Sequence, residues 1–153
     1  MLAQLLPPRL DNTYHGSRIA PWLMGLVLLV KFLQSVMSIF FGATVAANAD
    51  GVPLQSYSPA AAQTVIAMFA LLGVARLPFY ALCALALARY RSAIPLMLSL
   101  FALDYVARTL TLFYLPIERT GETGGLVVNQ VLFAVMLVAL VLSLRRRGDA
   151  TPS

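Results

Sequence analysis

The sequence predicts an all-α fold, an integral membrane four-helix transmembrane bundle with both termini cytoplasmic, and three observations support it. Hydrophobic residues make up 60% of the 153 residues and charged residues only 11%, whereas an ordinary soluble domain carries about 25% charged residues. The chain contains four apolar runs, each close to or above the roughly 20 residues that a spanning helix needs. The basic residues lie mainly at the ends of these runs, as membrane topology requires.

Turn-forming residues separate the runs. The first run is longer than the roughly 7–15 residues of a signal-peptide core, so we expect it to be retained as a helix that ends at Asn48–Pro53. Ser58 and Pro59 predict the start of the second span, with serine at the N-cap and proline at the first helical position. Ser92 is expected to cap the third span. The predicted spans cover residues 19–47, 59–88, 92–115 and 126–144.

The arginines outside the spans are distributed unequally between the two sides of this topology. Because short cytoplasmic loops are enriched in lysine and arginine, we expect three basic segments to be cytoplasmic: the N-terminal interfacial segment 1–18, the turn 89–91 and the basic tail 145–153. Topology and arginine bias together are typical of a bacterial inner-membrane protein. The opposite side holds one arginine among three acidic residues: Arg119, Asp50, Glu118 and Glu122.

Four charged side chains lie inside the apolar runs, and we call Lys31, Arg76, Asp104 and Arg108 the charged layer. An ionised group at this depth costs several kcal/mol unless it finds a partner or water. With a rise of about 1.5 Å per residue, the first three lie roughly 18 Å from the cytoplasmic ends of their spans, near the middle of the bilayer. Arg108 lies one turn farther from that end.

Other polar residues accompany the charged layer. Gln34 shares the helix face of Lys31, and two amides of the fourth span lie at a similar depth. Asp104 and Arg108 stand four residues apart and can pair within their helix, and Asp104 can also accept a hydrogen bond from Lys31 or Arg76. Three basic groups and one acid leave a charge of +2 if all are ionised. We therefore expect a buried polar network or a ligand-binding site formed by Lys31, Gln34, Arg76, Asp104, Arg108, Asn129 and Gln130.

The sequence lacks the motifs of common catalytic and cofactor sites. It has no glycine-rich phosphate loop and no HExxH, CxxC or GxSxG motif. His15 is the single histidine and Cys83 the single cysteine, so the chain alone predicts neither a metal site nor a disulfide. The basic residues also form no amphipathic patch of the kind that binds nucleic acid. We predict no catalytic residue, no cofactor, no metal and no nucleic-acid partner.

Three interpretations of the charged layer remain open: polar contacts that hold the helices together, a ligand site, or contact with another membrane protein. We expect a non-catalytic accessory, assembly or interaction subunit of a membrane complex. Its partners would be the lipid bilayer and other membrane subunits or a second copy of the chain. The alternative is a binding or transport module for an anionic lipid or another anionic or amphiphilic small molecule, held by Lys31, Arg76 and Arg108.

Overall fold

The structure is a computed structural model that describes residues 10–120 and 124–145. Most of these residues are helical and none lies in a strand, and four helices are long and apolar enough to span a membrane. This confirms the predicted all-α class and the predicted number of helices able to span a membrane. Residues 1–9 of the predicted interfacial segment, residues 121–123 with Glu122, and residues 146–153 of the predicted basic tail lie outside the described residues. The helices are α1 (Ile19–Phe40), α2 (Pro59–Ala88), α3 (Ile94–Tyr114) and α4 (Gly124–Leu144).

The predicted helix starts agree with the structure at α2 and differ at α3. The Ser58 hydroxyl accepts a hydrogen bond from the backbone N–H of Ala61 at 3.3 Å, with Pro59 in the first turn. The predicted cap at Ser92 is wrong, because Ala93 precedes α3 and makes no side-chain cap. The Ser92 hydroxyl instead donates to the carbonyl of Asp11 and accepts from its N–H, both at 3.0 Å. A contact between distant segments has replaced the local one.

The first span is less regular than predicted. Regular α-helix ends at Phe40, Phe41 leaves the helical conformation, and the chain continues through a short helical turn and a π-helical turn, Val45–Ala49. The irregularity coincides with a close approach to α2. A Cβ on Gly42 would lie 3.2 Å from the backbone oxygen of Ile66, so glycine permits this approach.

The helices form an up-and-down ring with three closed sides. α1 packs extensively against α2 and α4, and α4 packs against α3. In contrast, α2 and α3 contact each other much less, although a short turn joins them. The order around the ring is therefore α2, α1, α4, α3, and the side between α2 and α3 is the least closed.

Hydrogen bonds identify which segments meet at each end of the bundle. At one end, Ser92 bonds to Asp11, and the N–H of Ser17 donates to the carbonyl of Leu142 at 3.1 Å. We call this the basic end, because it carries Arg18, Arg89, Arg91 and Arg145. At the other, the loop end, the N–H of Thr120 donates to the carbonyl of Gly51 at 2.8 Å, joining the α3–α4 and α1–α2 connections.

The N-terminal segment 10–18 covers the basic end. Tyr14 packs against the hydrophobic core, and its hydroxyl is buried without a hydrogen-bond partner among the described residues. Burial raises the pKa of Tyr14 to about 12, so the hydroxyl stays neutral at physiological pH. Gly16 fits closely beneath α4, since a Cβ there would lie 2.5 Å from the carbonyl oxygen of Ser143. This segment therefore belongs to the packed fold.

Candidate functional site

The four residues of the charged layer line one cavity between the helices. Lys31 comes from α1, Arg76 from α2, and Asp104 and Arg108 from α3. The cavity volume, measured as the space open to the centre of a water-sized sphere, is about 20 Å³. A water molecule needs about 10–15 Å³ on the same measure. The cavity therefore accommodates about one water, and a larger group has to reach the charged side chains from its open side.

Lys31 has a specific partner in the fourth span. Its Nζ donates a hydrogen bond to Oδ1 of Asn129, with 2.5 Å between the two atoms. The contact joins α1 to α4 across one of the closed sides of the ring, and both side chains are partly buried. A charged donor with an amide acceptor is among the stronger protein hydrogen bonds. Lys31 therefore helps to connect two helices while it also lines the cavity.

Aromatic rings close the basic-end side of the cavity. Phe79 and Tyr80 follow Arg76 along α2, and both meet Phe101 of α3, with ring centroids 4.9 Å and 5.9 Å apart. Tyr80 and Phe101 are buried and line the cavity. They lie on the side of the charged layer that faces the basic end. An apolar floor therefore separates the charged groups from that end of the bundle.

Asp104 differs from its expected role. Within the described residues Asp104 makes no side-chain hydrogen bond and no ion pair with Arg108, so the pairing within α3 is not seen. Asp104 lines the cavity and yet is exposed. The position of Asp104 on its helix explains this exposure. The ring of Tyr105 stacks on that of Phe133 in α4, with 4.1 Å between the ring centroids. Asp104 lies one residue before Tyr105 and points about 100° away from it around the helix. Asp104 consequently faces the open side, between α2 and α3.

Three predicted site residues do not line the cavity: Gln34, Asn129 and Gln130. Asn129 is connected to it through its hydrogen bond with Lys31. Gln34 is partly buried on α1, but it does not line the recess. Gln130 is exposed on α4, next to Asn129 in sequence but on a different face of the helix. The structure thus joins Lys31 to Asn129 by a hydrogen bond. It also places Lys31 around one cavity with Arg76, Asp104 and Arg108.

The remaining cavity walls are apolar or aromatic side chains that the charge pattern alone did not indicate. Several of them lie three or four residues from a charged or polar residue of the same helix, and therefore on nearly the same helix face. Val27 lies four residues before Lys31, Phe133 four after Asn129, and Phe101 three before Asp104. Helical periodicity therefore contained a signal for them, although it could not say which faces meet. These residues are Val27, Tyr80, Phe101, Tyr105, Leu132, Phe133 and Met136.

The recess has the chemistry of an anion site at the boundary of an apolar core. Two guanidinium groups and one ammonium group line it with a single carboxylate, which gives 3 − 1 = +2 if all are ionised. Guanidinium groups bind carboxylates and phosphates through paired hydrogen bonds. No group of three or more histidine, cysteine or acidic residues suited to a metal ion occurs among the described residues.

Comparison of the chain with protein families, with curated proteins and with solved structures gave no match.

Proposed function

We propose that this protein is an intramembrane binding module for an anionic group carried by a small or amphiphilic molecule. The observation that supports the proposal is the convergence of Lys31, Arg76 and Arg108 on one recess that holds a single carboxylate. If these side chains only held the helices together, each charged or polar group would have a partner in a neighbouring helix. Such contacts need no excess of positive charge. The excess of +2 is reduced when an anion enters the recess.

Arg76 and Arg108 are the residues expected to bind the anion directly. Both are partly buried, on opposite sides of the opening between α2 and α3. Lys31 is held by Asn129 and adds positive charge from the closed side of the ring. The interaction-subunit hypothesis stays a prediction, because no contact among the described residues favours it.

Replacement of Arg76 tests this proposal. The purified protein in a nonionic detergent is titrated separately with sodium phosphate and with phosphatidylglycerol, and its thermal midpoint Tm is measured. A bound anion raises Tm by mass action, and Arg76→Gln should abolish the rise while changing the ligand-free Tm little. Arg89→Gln is the control, because Arg89 is exposed at the basic end, and it should keep the rise. No rise with either anion, or an equal rise in both variants, would refute the proposal.

We also propose that the protein lies in a bacterial inner membrane with its basic end in the cytoplasm. The support is the arginine distribution, since Arg18, Arg89, Arg91 and Arg145 all lie near one end of the bundle. Reporter tags fused at either terminus should then report a cytoplasmic location. A tag inserted near Ser56, in the α1–α2 connection, should report the opposite side. A non-cytoplasmic report from a terminal tag would contradict this orientation.

A further inference from the structure

The buried core lies almost entirely on one side of the charged layer. In α3 and α4 every buried residue lies level with the layer or on its basic-end side, and the buried residues are Ile94, Pro95, Leu98, Phe101, Leu132, Met136, Ala139 and Ser143. From Asp104 to Tyr114, α3 contains no buried residue, and neither does α4 from Gly124 to Val131. The loop-end half of the bundle is therefore loosely packed around α3.

The side between α2 and α3 is open in this loosely packed half. The aromatic ring contacts that join the two helices among the described residues all belong to the floor formed by Phe79, Tyr80 and Phe101. Beyond this floor, towards the loop end, Arg76 lies on one side of the opening and Asp104 and Arg108 on the other. We call this opening the α2–α3 gap. The exposure of Asp104, a lining residue, shows that the recess reaches the outer surface of the bundle there.

Both ends of the bundle are more closed than this side. At the basic end, segment 10–18 is tied to the α2–α3 turn and to α4. At the loop end, Thr120 joins Gly51, and Gly125 fits so closely that a Cβ would lie 2.6 Å from the carbonyl oxygen of Ala49. Among the described residues, no comparable connection crosses the α2–α3 gap.

We infer that the recess receives the anionic headgroup of a membrane lipid, which enters sideways through the α2–α3 gap from the leaflet at the loop end. The inference rests on the proposed anion site and specifies both its ligand and its route. The headgroup phosphate pairs with Arg76 and Arg108, while the acyl chains remain in the bilayer beside the exposed apolar residues around the gap. These include Leu72 on α2 and Leu103 on α3.

A lipid fits this site better than a soluble anion does, for two reasons. The charges lie near the middle of spans whose outer faces are apolar, so a ligand that arrives sideways must itself dissolve in the bilayer. The cavity volume of about 20 Å³ is also too small for a whole ligand, and the exposure of Asp104 shows that the cavity opens to the side. A headgroup can therefore reach Arg76 and Arg108 at this opening while its chains stay outside. The aromatic floor stops it from passing to the basic end.

Blocking the gap tests the route separately from the site. Ala107 lies three residues after Asp104, on nearly the same face of α3, and is exposed. Ala107→Trp places an indole in the gap. Val106→Trp is the matched control, because Val106 is exposed on the opposite face of the same helix. Both variants, with the parent protein, are titrated with phosphatidylglycerol, phosphatidylcholine or sodium phosphate in nonionic detergent. Tm and lipid retention by native mass spectrometry are measured.

Phosphatidylglycerol should raise the Tm of the parent protein and of Val106→Trp by several degrees and remain bound in the mass spectrum. Phosphatidylcholine should have a smaller effect, and Ala107→Trp should lose both the rise and the bound lipid.

An Arg76-dependent rise with sodium phosphate alone would overturn the lipid inference and leave the anion site standing. A phosphatidylglycerol rise that persists in Ala107→Trp would overturn the lateral route. No Arg76-dependent rise with any anion would refute the site itself. If Ala107→Trp does not fold, Ala107→Phe provides the same comparison.

Discussion

The α1–α2 and α2–α3 sides of the bundle differ although both join consecutive helices. On the first side, small residues bring the backbones together: a Cβ on Gly73 would lie 2.8 Å from the carbonyl oxygen of Ser35. On the second, a short turn joins the helices, yet they pack weakly and leave charged groups at the surface. Close packing in membranes depends on small residues that let backbones approach, and proximity in sequence does not replace them. The tight side stabilises the fold, and the open side is available to a ligand.

The largest expected effect comes from filling the tight side. Gly73→Ala adds a methyl group that would clash with the Ser35 carbonyl oxygen and, at 2.9 Å, with Cγ1 of Ile39. Overpacking of this kind typically costs about 1–3 kcal/mol, so the free energy of unfolding should fall by that amount. The measurement is denaturant unfolding in detergent followed by circular dichroism.

Gly25→Ala is the matched control for that substitution. A Cβ at Gly25 would lie 4.0 Å from Cδ1 of Leu87, which is an ordinary contact. Alanine favours a helix over glycine by about 1 kcal/mol, so this variant should be as stable as the parent or more stable. If Gly73→Ala matched Gly25→Ala, the α1–α2 side would not be the tight side.

A smaller effect is expected where α1 meets α4. Asn129→Ala removes the acceptor of Lys31 and leaves a partly buried charge without that hydrogen bond. The free energy of unfolding should fall by about 1–2 kcal/mol, in the range of interhelical polar contacts and of lost hydrogen bonds to charged groups. Gln130→Ala, one residue along, removes an exposed amide and should change stability by less than about 0.5 kcal/mol. Equal losses in both variants would show that the Lys31–Asn129 contact does not stabilise the bundle.

The smallest effect on stability is expected at the open side. Asp104→Asn removes a carboxylate that is exposed and makes no side-chain hydrogen bond within the described residues, so the ligand-free Tm should hardly change. The charge around the recess then rises from +2 to +3, and the rise of Tm with phosphatidylglycerol should increase. A marked loss of ligand-free stability would instead show that Asp104 neutralises the arginines and that the α2–α3 side is closed in the intact bundle.

The sequence predicted what depends on local patterns. Hydropathy located all four helices, and Ser58 with Pro59 marked the start of α2, because these signals act within one or two turns. Ser92 was misassigned for the opposite reason, since its hydroxyl bonds to Asp11, 81 residues away. The break of regular helix at Phe41 was not predicted, and the approach of Gly42 to Ile66 that accompanies it involves a second helix.

The sequence predicted which charged residues form the candidate site, but not which side chains contact each other there. Estimated depth placed Lys31, Arg76 and Asp104 at one level with Arg108 one turn farther, and all four line the recess. Helical spacing says which residues share a face, but not which helix that face meets. The pairing of Lys31 with Asn129, and the outward position of Asp104, follow from the ring order α2, α1, α4, α3. That order is a property of the whole bundle.

The position of α4 between α1 and α3 has a consequence for synthesis. Chains are made from the N-terminus, so α1, α2 and α3 reach the membrane before α4. Until these last 21 helical residues follow, Lys31 lacks Asn129, Tyr105 lacks Phe133, and α3 has only its weak contact with α2. A nascent chain that stalls before α4 therefore presents an unpartnered lysine and a poorly attached helix to the bilayer. Such a chain should be a substrate for membrane quality-control proteases, whereas insertion of α4 completes the bundle in one step.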